Sequence, residues 1–323
     1  MNKLFPRVFA LASILVLASG CDAAVTVIPA PVGGGSLYGI HETNFVKIDP
    51  STAEITILGP LPPEASPLGG EVLDNLHRRY VYSALDYDAN EWRLISLDLD
   101  SGAVVANVLL PRNVSALAVE GVSGDIVFHY IPDETSDERA IGRIDPILGT
   151  LTQLSTYVPP WNYVNSADMI YDGAGTFYGV APILDQAAVP TNVYTFGAAT
   201  GVWAGAEIPV PGMHGLEFDP GLDLLVATSS VITEHVEVVT VDRSTLAVDH
   251  VAVLDAYAAA GADAYDPVTH RYFVVAGEGQ PKYFADWYPG FRLYTVDIET
   301  GHVLGESPVI GTEYPIYGLR YAL

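Results

Sequence analysis

Residues 293–304 read LYTVDIETGHVL, in which apolar and polar residues alternate up to an acid, a short turn and a second β-forming stretch. The same pattern occurs at VKIDPSTAEIT (46–56), LISLDLDSGAVV (94–105), IGRIDPILGTLT (141–152), VYTFGAATGVWA (193–204) and VVTVDRSTLAVD (238–249). The turns open at Asp49, Asp98, Asp145, Gly197, Asp242 and Asp297, and four residues later stand Ala53, Gly102, Gly149, Gly201, Leu246 and Gly301. Because Asp bonds the turn backbone and Gly adopts left-handed conformations, the pattern predicts six hairpins.

A second predicted hairpin precedes each copy from the second onward. It combines a short apolar strand, an acidic turn and a strongly β-forming strand, as in GLEFDPGLDLLVAT (215–228) and ADAYDPVTHRYFVVA (262–276). Four strands in about 50 residues match the length of a propeller blade. No helical period persists outside the N-terminal segment, which argues against helical repeats and βαβ units.

The two ends of the chain complement each other. The first copy lacks its opening strand and begins at Ser36, whereas residues 317–323, YGLRYAL, are an unpaired match to the opening strand GLEFD (215–219). The sequence therefore predicts an all-β fold, a six-bladed β-propeller over residues 36–323, closed by pairing of the C-terminal strand with the N-terminal blade.

The repeated turn is similar to that of bacterial surface propellers of the YVTN and quinoprotein-like groups. The six-blade count and the stretch MHGLEF (213–218) resemble the gluconolactonase, or senescence-marker, family. That resemblance implies a divalent cation held in the channel by Glu, Asn and Asp. Here His214 stands at the Asn position, Gly261 at the Asp position with Asp263 two residues on, and Glu71 about one residue from the Glu position. We therefore predict no cofactor, with Ca²⁺ as the alternative.

The N-terminal segment predicts where in the cell the protein is located. Lys3 and Arg7 precede an apolar run at 8–18, which is too short to span a bilayer but typical of a signal peptide. The run ends in ASGC (18–21), which resembles the bacterial lipobox, and Cys21 is the only cysteine of the chain. We expect a signal peptide at 1–20, a lipidated Cys21 with a flexible tether at 21–35, and a lipid-anchored protein of the bacterial cell envelope, periplasmic or at the cell surface. Ordinary secretion with cleavage near residues 23–24 is the alternative.

The composition excludes other classes of protein. Half of the residues are hydrophobic, which is unlike a disordered chain. The 39 acids against 14 bases give a net charge of −25, which excludes a nucleic-acid partner because phosphate contacts need Lys and Arg.

Propeller topology predicts one face of short, uniform turns and one face of long, variable segments at 132–140, 183–192, 277–291, 59–69, 157–165, 209–214 and 307–316. The variable face is aromatic, so we interpret it as a binding face. Its candidate residues are Tyr283, Phe284, Trp287, Tyr288, Phe291, Trp161, Tyr163, Tyr314 and Tyr317. Alternatively, these aromatic residues cap the open ends of the blades.

The channel offers a second candidate site. Alignment of the opening strands places Glu217 and Arg320 in one ring, where they could pair across the channel, and brings His214, Asp168 and Asp263 near its mouth. A structural pair is the alternative interpretation.

The function predicted from these features is a non-catalytic binding or scaffold module for a protein or glycan partner of the cell envelope. The alternative is a metal-dependent lactonase or hydrolase at the channel mouth. No nucleophile elbow, zinc-protease motif or phosphate loop occurs in the sequence.

Overall fold

In the part of the chain that the structure describes, 24 strands form six four-stranded antiparallel sheets, and each sheet is one blade of a propeller. The computed structural model describes residues 34–63, 66–111, 114–121, 123–133, 138–158, 168–181, 190–229, 235–277, 290–309 and 316–323. Within these ranges the chain forms no helix that is long and apolar enough to cross a membrane. The predicted all-β, six-bladed architecture is confirmed.

The strands follow one another in chain order. They are β1 (Ser36–His41), β2 (Asn44–Ile48), β3 (Ile55–Pro60), β4 (Ser66–Asp74), β5 (Arg79–Asp86), β6 (Glu91–Asp98), β7 (Val104–Leu109), β8 (Ser115–Glu120), β9 (Asp125–Tyr130), β10 (Arg139–Ile144), β11 (Leu151–Tyr157), β12 (Asp168–Tyr171), β13 (Thr176–Ala181), β14 (Pro190–Gly197), β15 (Trp203–Pro211), β16 (Met213–Asp219), β17 (Leu224–Ser229), β18 (Val236–Asp242), β19 (Val248–Leu254), β20 (Tyr257–Asp266), β21 (Arg271–Gly277), β22 (Phe291–Asp297), β23 (Val303–Pro308) and β24 (Ile316–Ala322).

Blade 1 has the strand order β24-β1-β2-β3, and blades 2 to 6 are β4–β7, β8–β11, β12–β15, β16–β19 and β20–β23. The first strand of each blade contacts the first strands of its neighbours around the channel. Strand β24 pairs antiparallel with β1, with Ser36 opposite Ala322 and His41 opposite Ile316. The predicted closure of the ring by the C-terminal strand is therefore confirmed.

Among the described residues, six clusters of buried apolar side chains hold the blades together, one at each interface between neighbouring blades. At the closing interface, Leu37 of blade 1 packs with Phe273 and Phe291 of blade 6. The ring of Tyr321 on β24 stacks on Phe273 with centroids 5.6 Å apart. Each buried side chain of this size contributes about 1.5–3 kcal/mol to the free energy of folding. The closing interface is therefore stabilised by the burial of apolar side chains, as the other five are.

The repeated turns adopt the predicted conformation in all six blades. The φ angles are 58° at Ala53, 69° at Gly102, 70° at Gly149, 65° at Gly201, 58° at Leu246 and 71° at Gly301. The turn acid accepts backbone hydrogen bonds, as where Asp242 Oδ1 accepts from the N–H groups of Ser244 at 2.9 Å and Thr245 at 2.8 Å. The Ser244 hydroxyl and these backbone bonds lower the pKa of Asp242 to about 2. The left-handed conformation therefore belongs to the turn position, whichever residue occupies it.

One predicted variable segment is not a loop. Residues 209–214 were expected to connect two blades, but β15 runs to Pro211 and β16 begins at Met213. Only Gly212, with a φ of 57°, separates the two strands. The hydroxyl of Thr191 accepts a hydrogen bond from the Met213 N–H at 3.1 Å, which holds this abrupt crossing between blades.

Candidate functional site

The innermost strands carry bulges at the level of the channel. Strand pairing shifts register between Pro67 and Glu71 in β4, between Ser115 and Leu117 in β8, between His214 and Glu217 in β16, and between Ala258 and Asp263 in β20. In β24 the shift falls opposite Tyr38 and Ile40. Left-handed residues mark four of these sites, with φ of 116° at Gly70, 45° at Ala116, 65° at Gly215 and 58° at Gly318. A bulge changes the direction of nearby side chains, and here ionisable residues flank it.

The guanidinium of Arg320, on the closing strand, lies at the centre of these ionisable residues. Its Nη2 is 3.3 Å from Glu71 Oε1 of blade 2 and 3.3 Å from Asp168 Oδ1 of blade 4. Its Nη1 is 4.0 Å from Glu217 Oε1 of blade 5. The sequence alignment had placed Glu217 and Arg320 in one ring; the structure brings them together, but at a longer distance than the other two acids.

Arg320 also bonds the backbone of the neighbouring blades. Its Nε and Nη2 donate to the Glu71 carbonyl at 3.2 and 3.1 Å, and its Nη1 donates to the carbonyls of Leu319 at 2.9 Å and Asp263 at 3.3 Å. With the bond from Nη2 to Asp168, these contacts match the five N–H groups of a guanidinium. Arg320 therefore cross-links the closing strand to blades 2, 4 and 6.

Two glycines on the channel wall are each covered by an acid and a tyrosine of the next blade. Tyr80 donates to the carbonyl of Gly318, and Tyr272 donates to the carbonyl of Gly215, both at 2.6 Å. A Cβ added to Gly318 would overlap Glu71, and one added to Gly215 would overlap the carboxylate of Asp263. These glycines are required by their left-handed conformation and by the space that the two acids occupy.

His214 and Asp263 form a bonded pair with Thr228. The Thr228 hydroxyl donates to Asp263 Oδ2 at 2.7 Å, and His214 Nδ1 lies 3.2 Å from the same oxygen. Asp263 is 1% exposed, and its Oδ1 has no hydrogen-bond partner among the described residues. Burial opposes the imidazolium, but the Asp263 hydrogen bond and the negative charges of Asp263 and Asp168 raise the pKa of His214. Burial also opposes the charged form of Asp263, yet its contacts with His214 and Thr228 lower its pKa.

The remaining acids of the channel hold protons more tightly than usual. Burial raises the pKa of Glu71 to about 7 and that of Glu217 to about 8, in each case against the opposing charge of Arg320. Burial also raises the pKa of Asp168, whose Oδ2 accepts a hydrogen bond from the Gly215 N–H at 2.6 Å. The mutual repulsion of four nearby acids adds to the effect of burial.

A cavity of about 420 Å³ lies in the channel on the side of the short turns. Arg320 and Glu217 line it, and it extends to the turns that carry Leu76 and Pro267. The innermost strands of all six blades contribute to its wall. The channel cavity is therefore at the end of the channel opposite to the strand ends, such as Gly277, that lead into the long, variable segments.

Most of the predicted aromatic face lies outside the described residues, as does Cys21. The residues concerned are Tyr283, Phe284, Trp287, Tyr288, Trp161, Tyr163 and Tyr314. Phe291 requires a correction: it opens β22 and is 2% exposed in the cluster between blades 6 and 1, so it is a core residue and not part of a binding face. Tyr317, at the start of β24, is 46% exposed.

The sequence pattern did not single out Tyr80, Tyr272 or Thr228, and it indicated Glu71 only as a residue about one position from the Glu of the family that the chain resembles. The sequence does contain a pattern that relates these residues. Tyr80 follows Glu71 by nine residues and Tyr272 follows Asp263 by nine residues, and an arginine directly precedes each tyrosine. This spacing occurs only in blades 2 and 6, which flank blade 1. It marks the two blades whose acids and tyrosines cover a glycine of the preceding blade.

The channel residues do not fit the divalent cation that the family resemblance implies. The guanidinium of Arg320 already lies within 3.3 Å of Glu71 and Asp168 and supplies the positive charge there. In the part of the chain that the structure describes, no group of three or more His, Cys, Asp or Glu side chains is arranged to hold a metal ion. The carboxylate oxygens of Glu71 and Asp168 converge on this guanidinium, which occupies the place that a cation would take.

Comparisons with known proteins support the fold. No family model and no curated protein matches the chain. The solved structure of TolB from Acinetobacter baumannii is similar with a TM-score of 0.63 at 9% identity, covering 89% of this chain and 66% of that one. A solved luciferin-regenerating enzyme is similar with a TM-score of 0.53 at 14% identity, covering 85% of this chain and 81% of that one. The chain thus spans just under two thirds of the TolB chain, and identities this low show the fold alone.

Proposed function

We propose that this chain is a non-catalytic binding module of the bacterial cell envelope, anchored through a lipid on Cys21, whose loop-bearing face holds a protein or glycan partner. The observation that supports this proposal most strongly is the engagement of the channel groups with one another. Arg320 uses its N–H groups on protein acceptors, and Asp168 and Asp263 accept hydrogen bonds from within the chain. Such bonds stabilise a rigid ring, and the groups that make them are held by the chain and are not free to act on a substrate.

The contrast between the two faces supports a partner site on the loops. On the short-turn face, the turn acids satisfy the backbone of their own turns, as Asp49 and Asp145 do. These turns are alike in five blades because they build the blade. The long segments differ from blade to blade, and the one at 277–291 carries four aromatic residues besides the buried Phe291. Aromatic side chains of this kind stack on sugar rings or anchor protein interfaces.

Residues 18–35 support display outside the cytoplasm. The stretch ASGC at 18–21 resembles a lipidation site, and residues 22–35, DAAVTVIPAPVGGG, have the Pro and Gly content of a tether. Several acyl chains on Cys21 would anchor stably, since each buried methylene contributes about 0.8 kcal/mol. The tether would leave the propeller free to turn toward a partner.

The test compares two faces of the same ring. The double variant Trp287→Ala, Tyr288→Ala is matched with Leu148→Ala, which removes an apolar side chain that is 76% exposed on the short-turn face. Partners are captured by cross-linking on native membranes, and each is then purified and rebound, with glycan fragments as a separate arm. We expect the loop variant to weaken rebinding by at least about tenfold and the turn variant to leave it unchanged. Both melting temperatures should stay near that of the wild type, as for most surface substitutions.

Equal rebinding of the two variants would contradict the placement of the site on the loops. Turnover would contradict the absence of catalysis: if the purified chain hydrolyses a lactone and Glu217→Gln abolishes the reaction, the channel-centred hydrolase replaces the binding module.

A further inference from the structure

The cavity on the short-turn side of the channel has a polar floor and an apolar rim. Glu217 and Arg320 form the floor, and Leu76 and Leu323, both more than half exposed, stand at the opening. A volume of about 420 Å³ lies within the range of small-molecule sites. Uniform turns build the surrounding face, so nothing in the proposed loop-side function uses this cavity.

The floor presents one carboxylate without a hydrogen bond. Within the described part of the chain, Glu217 accepts no hydrogen bond, and its ion-pair contact is the 4.0 Å approach to Arg320 Nη1. Arg320 has no N–H group left to donate to Glu217, because its N–H groups already donate to Glu71, Leu319, Asp263 and Asp168. The other acid of the lining, Asp74, is bonded to Arg79 and His77. Glu217 is thus the acid of the cavity that retains acceptor capacity.

The walls are aromatic and aliphatic. The lining includes Tyr171, Phe218, Tyr265 and Tyr321 together with Met169. The hydroxyl of Tyr265 is bonded to Asp219 outside the cavity lining, so this ring contributes its apolar surface. Aromatic faces attract cations as well as apolar groups.

The unbonded Glu217 carboxylate and the fully used guanidinium of Arg320 determine which charge a ligand of this cavity can carry. An anion would meet the Glu217 carboxylate and a guanidinium without spare donors. A wholly apolar ligand would cover Glu217 and leave it unpaired, which is costly. A cation would pair with it, and the net charge of −25 raises the local concentration of cations around the molecule.

We propose that the turn-side cavity binds a small organic cation, an ammonium group on an apolar body, with the ammonium nitrogen on Glu217 and the body against the aromatic walls. The ammonium supplies the hydrogen bonds that Glu217 lacks. The apolar rim accommodates the far end of the ligand. This site is independent of the proposed partner face, since the two lie at opposite ends of the channel.

The test titrates the full chain in a non-ionic detergent with 2-phenylethylammonium and with its neutral isostere 2-phenylethanol. The titrations are run at pH 8.5, because burial raises the pKa of Glu217 to about 8 and the carboxylate must be ionised. We expect the ammonium to bind at least about tenfold more tightly than the alcohol, and Glu217→Gln to remove the difference. Glu306→Gln, which alters an exposed acid on β23, is the matched control and should change nothing.

A second measurement on the wild type does not depend on a variant. The chain has three methionines, of which Met169 lines the cavity and Met213 is buried between blades 4 and 5. With ¹³C-methyl methionine, 2-phenylethylammonium should shift the Met169 signal and leave Met213 in place. Equal binding of the alcohol, an unchanged Glu217→Gln affinity or an unmoved Met169 signal would each overturn the proposal. So would competition by Ca²⁺ at equal concentration, which would identify an inorganic cation site.

Discussion

Gly201 and Gly301 occupy the same position of the repeated turn, with φ of 65° and 71°, but they have different surroundings. A Cβ at Gly201 would lie 3.8 Å from Ser155 Oγ, an ordinary contact, whereas one at Gly301 would lie 2.5 Å from the Val251 carbonyl oxygen. We expect Gly201→Ala to cost about 1–2 kcal/mol from left-handed strain alone. Gly301→Ala should cost about 2–4 kcal/mol, because overpacking adds to the same strain.

Urea unfolding of the two variants checks this difference, since the chemical change is the same in both. Equal losses would show that the strand carrying Val251 yields to the new methyl group. Ala53 and Leu246 already occupy this position with φ of 58°, so the turn tolerates the strain where space permits.

Glu217 makes the stability of the ring depend on pH. Its pKa is raised to about 8 in the folded protein by burial, with Arg320 opposing and Asp168, Asp263 and Glu71 adding repulsion. The unfolded chain, with an ordinary Glu pKa, binds fewer protons between about pH 4.5 and pH 8, so the free energy of unfolding falls as the pH rises through this window.

Between pH 5 and pH 8.5, we expect the free energy of unfolding of Glu217→Gln to fall by about 1–3 kcal/mol less than that of the wild type. The reason is that glutamine does not ionise. The variant keeps the part of the decline that Glu71 and His214 cause, since both have raised pKa values. Denaturant titrations at several pH values measure the difference. Parallel pH profiles for the two proteins would contradict the raised pKa of Glu217.

At the scale of the element, β24 closes the ring by two different means. Its backbone pairs with β1 along the blade, and its Arg320 reaches carbonyls of blades 2 and 6 and the carboxylate of Asp168 in blade 4. The backbone pairing fixes the strand to its own sheet. The guanidinium fixes it to the opposite side of the channel, which no strand pairing can do.

Removal of this guanidinium should destabilise the whole ring. We expect Arg320→Gln to cost about 3–5 kcal/mol, because it leaves buried acids without their counter-charge. The control Arg292→Gln breaks an exposed ion pair, 2.9 Å long, with Glu306 and should cost less than about 1 kcal/mol. Thermal and urea unfolding measure both, and a small loss for Arg320→Gln would show that water in the channel replaces the guanidinium.

For the whole molecule, the net charge of −25 has an architectural part. Five of the six repeated turns open with Asp, whose carboxylate bonds the turn backbone. These carboxylates stabilise the turns at any pH at which they are ionised. The net negative charge of the molecule favours cationic ligands over anionic ones.

The proposed anchor also belongs to this scale. We expect the wild type to fractionate with membranes and Cys21→Ser to move to the soluble fraction, because the substituted chain has no thiol to acylate. Fractionation followed by immunoblotting measures this shift. A Cys21→Ser chain that stays on membranes would contradict lipid anchoring and point to attachment through a partner.

The structure of the blade, the number of blades and the closing strand could all be predicted from the sequence, and the structure confirms them. Strand alternation, turn acids and left-handed positions are local, with a period of two residues or a spacing of four, and they repeat six times. The alignment of the opening strands placed Glu217 and Arg320 in one ring, but the bonds of Arg320 to Asp168 and to the carbonyls of Glu71 and Asp263 depend on the tertiary packing. Arg320 and Glu71 are 249 residues apart in the chain, and Glu71 joins the channel centre because bulges at Gly70 and Gly318 shift the register of the innermost strands. Such a shift changes the direction of a side chain, and the repeated turn does not encode it, so the centre of the channel follows from the packing of the blades and not from the repeat.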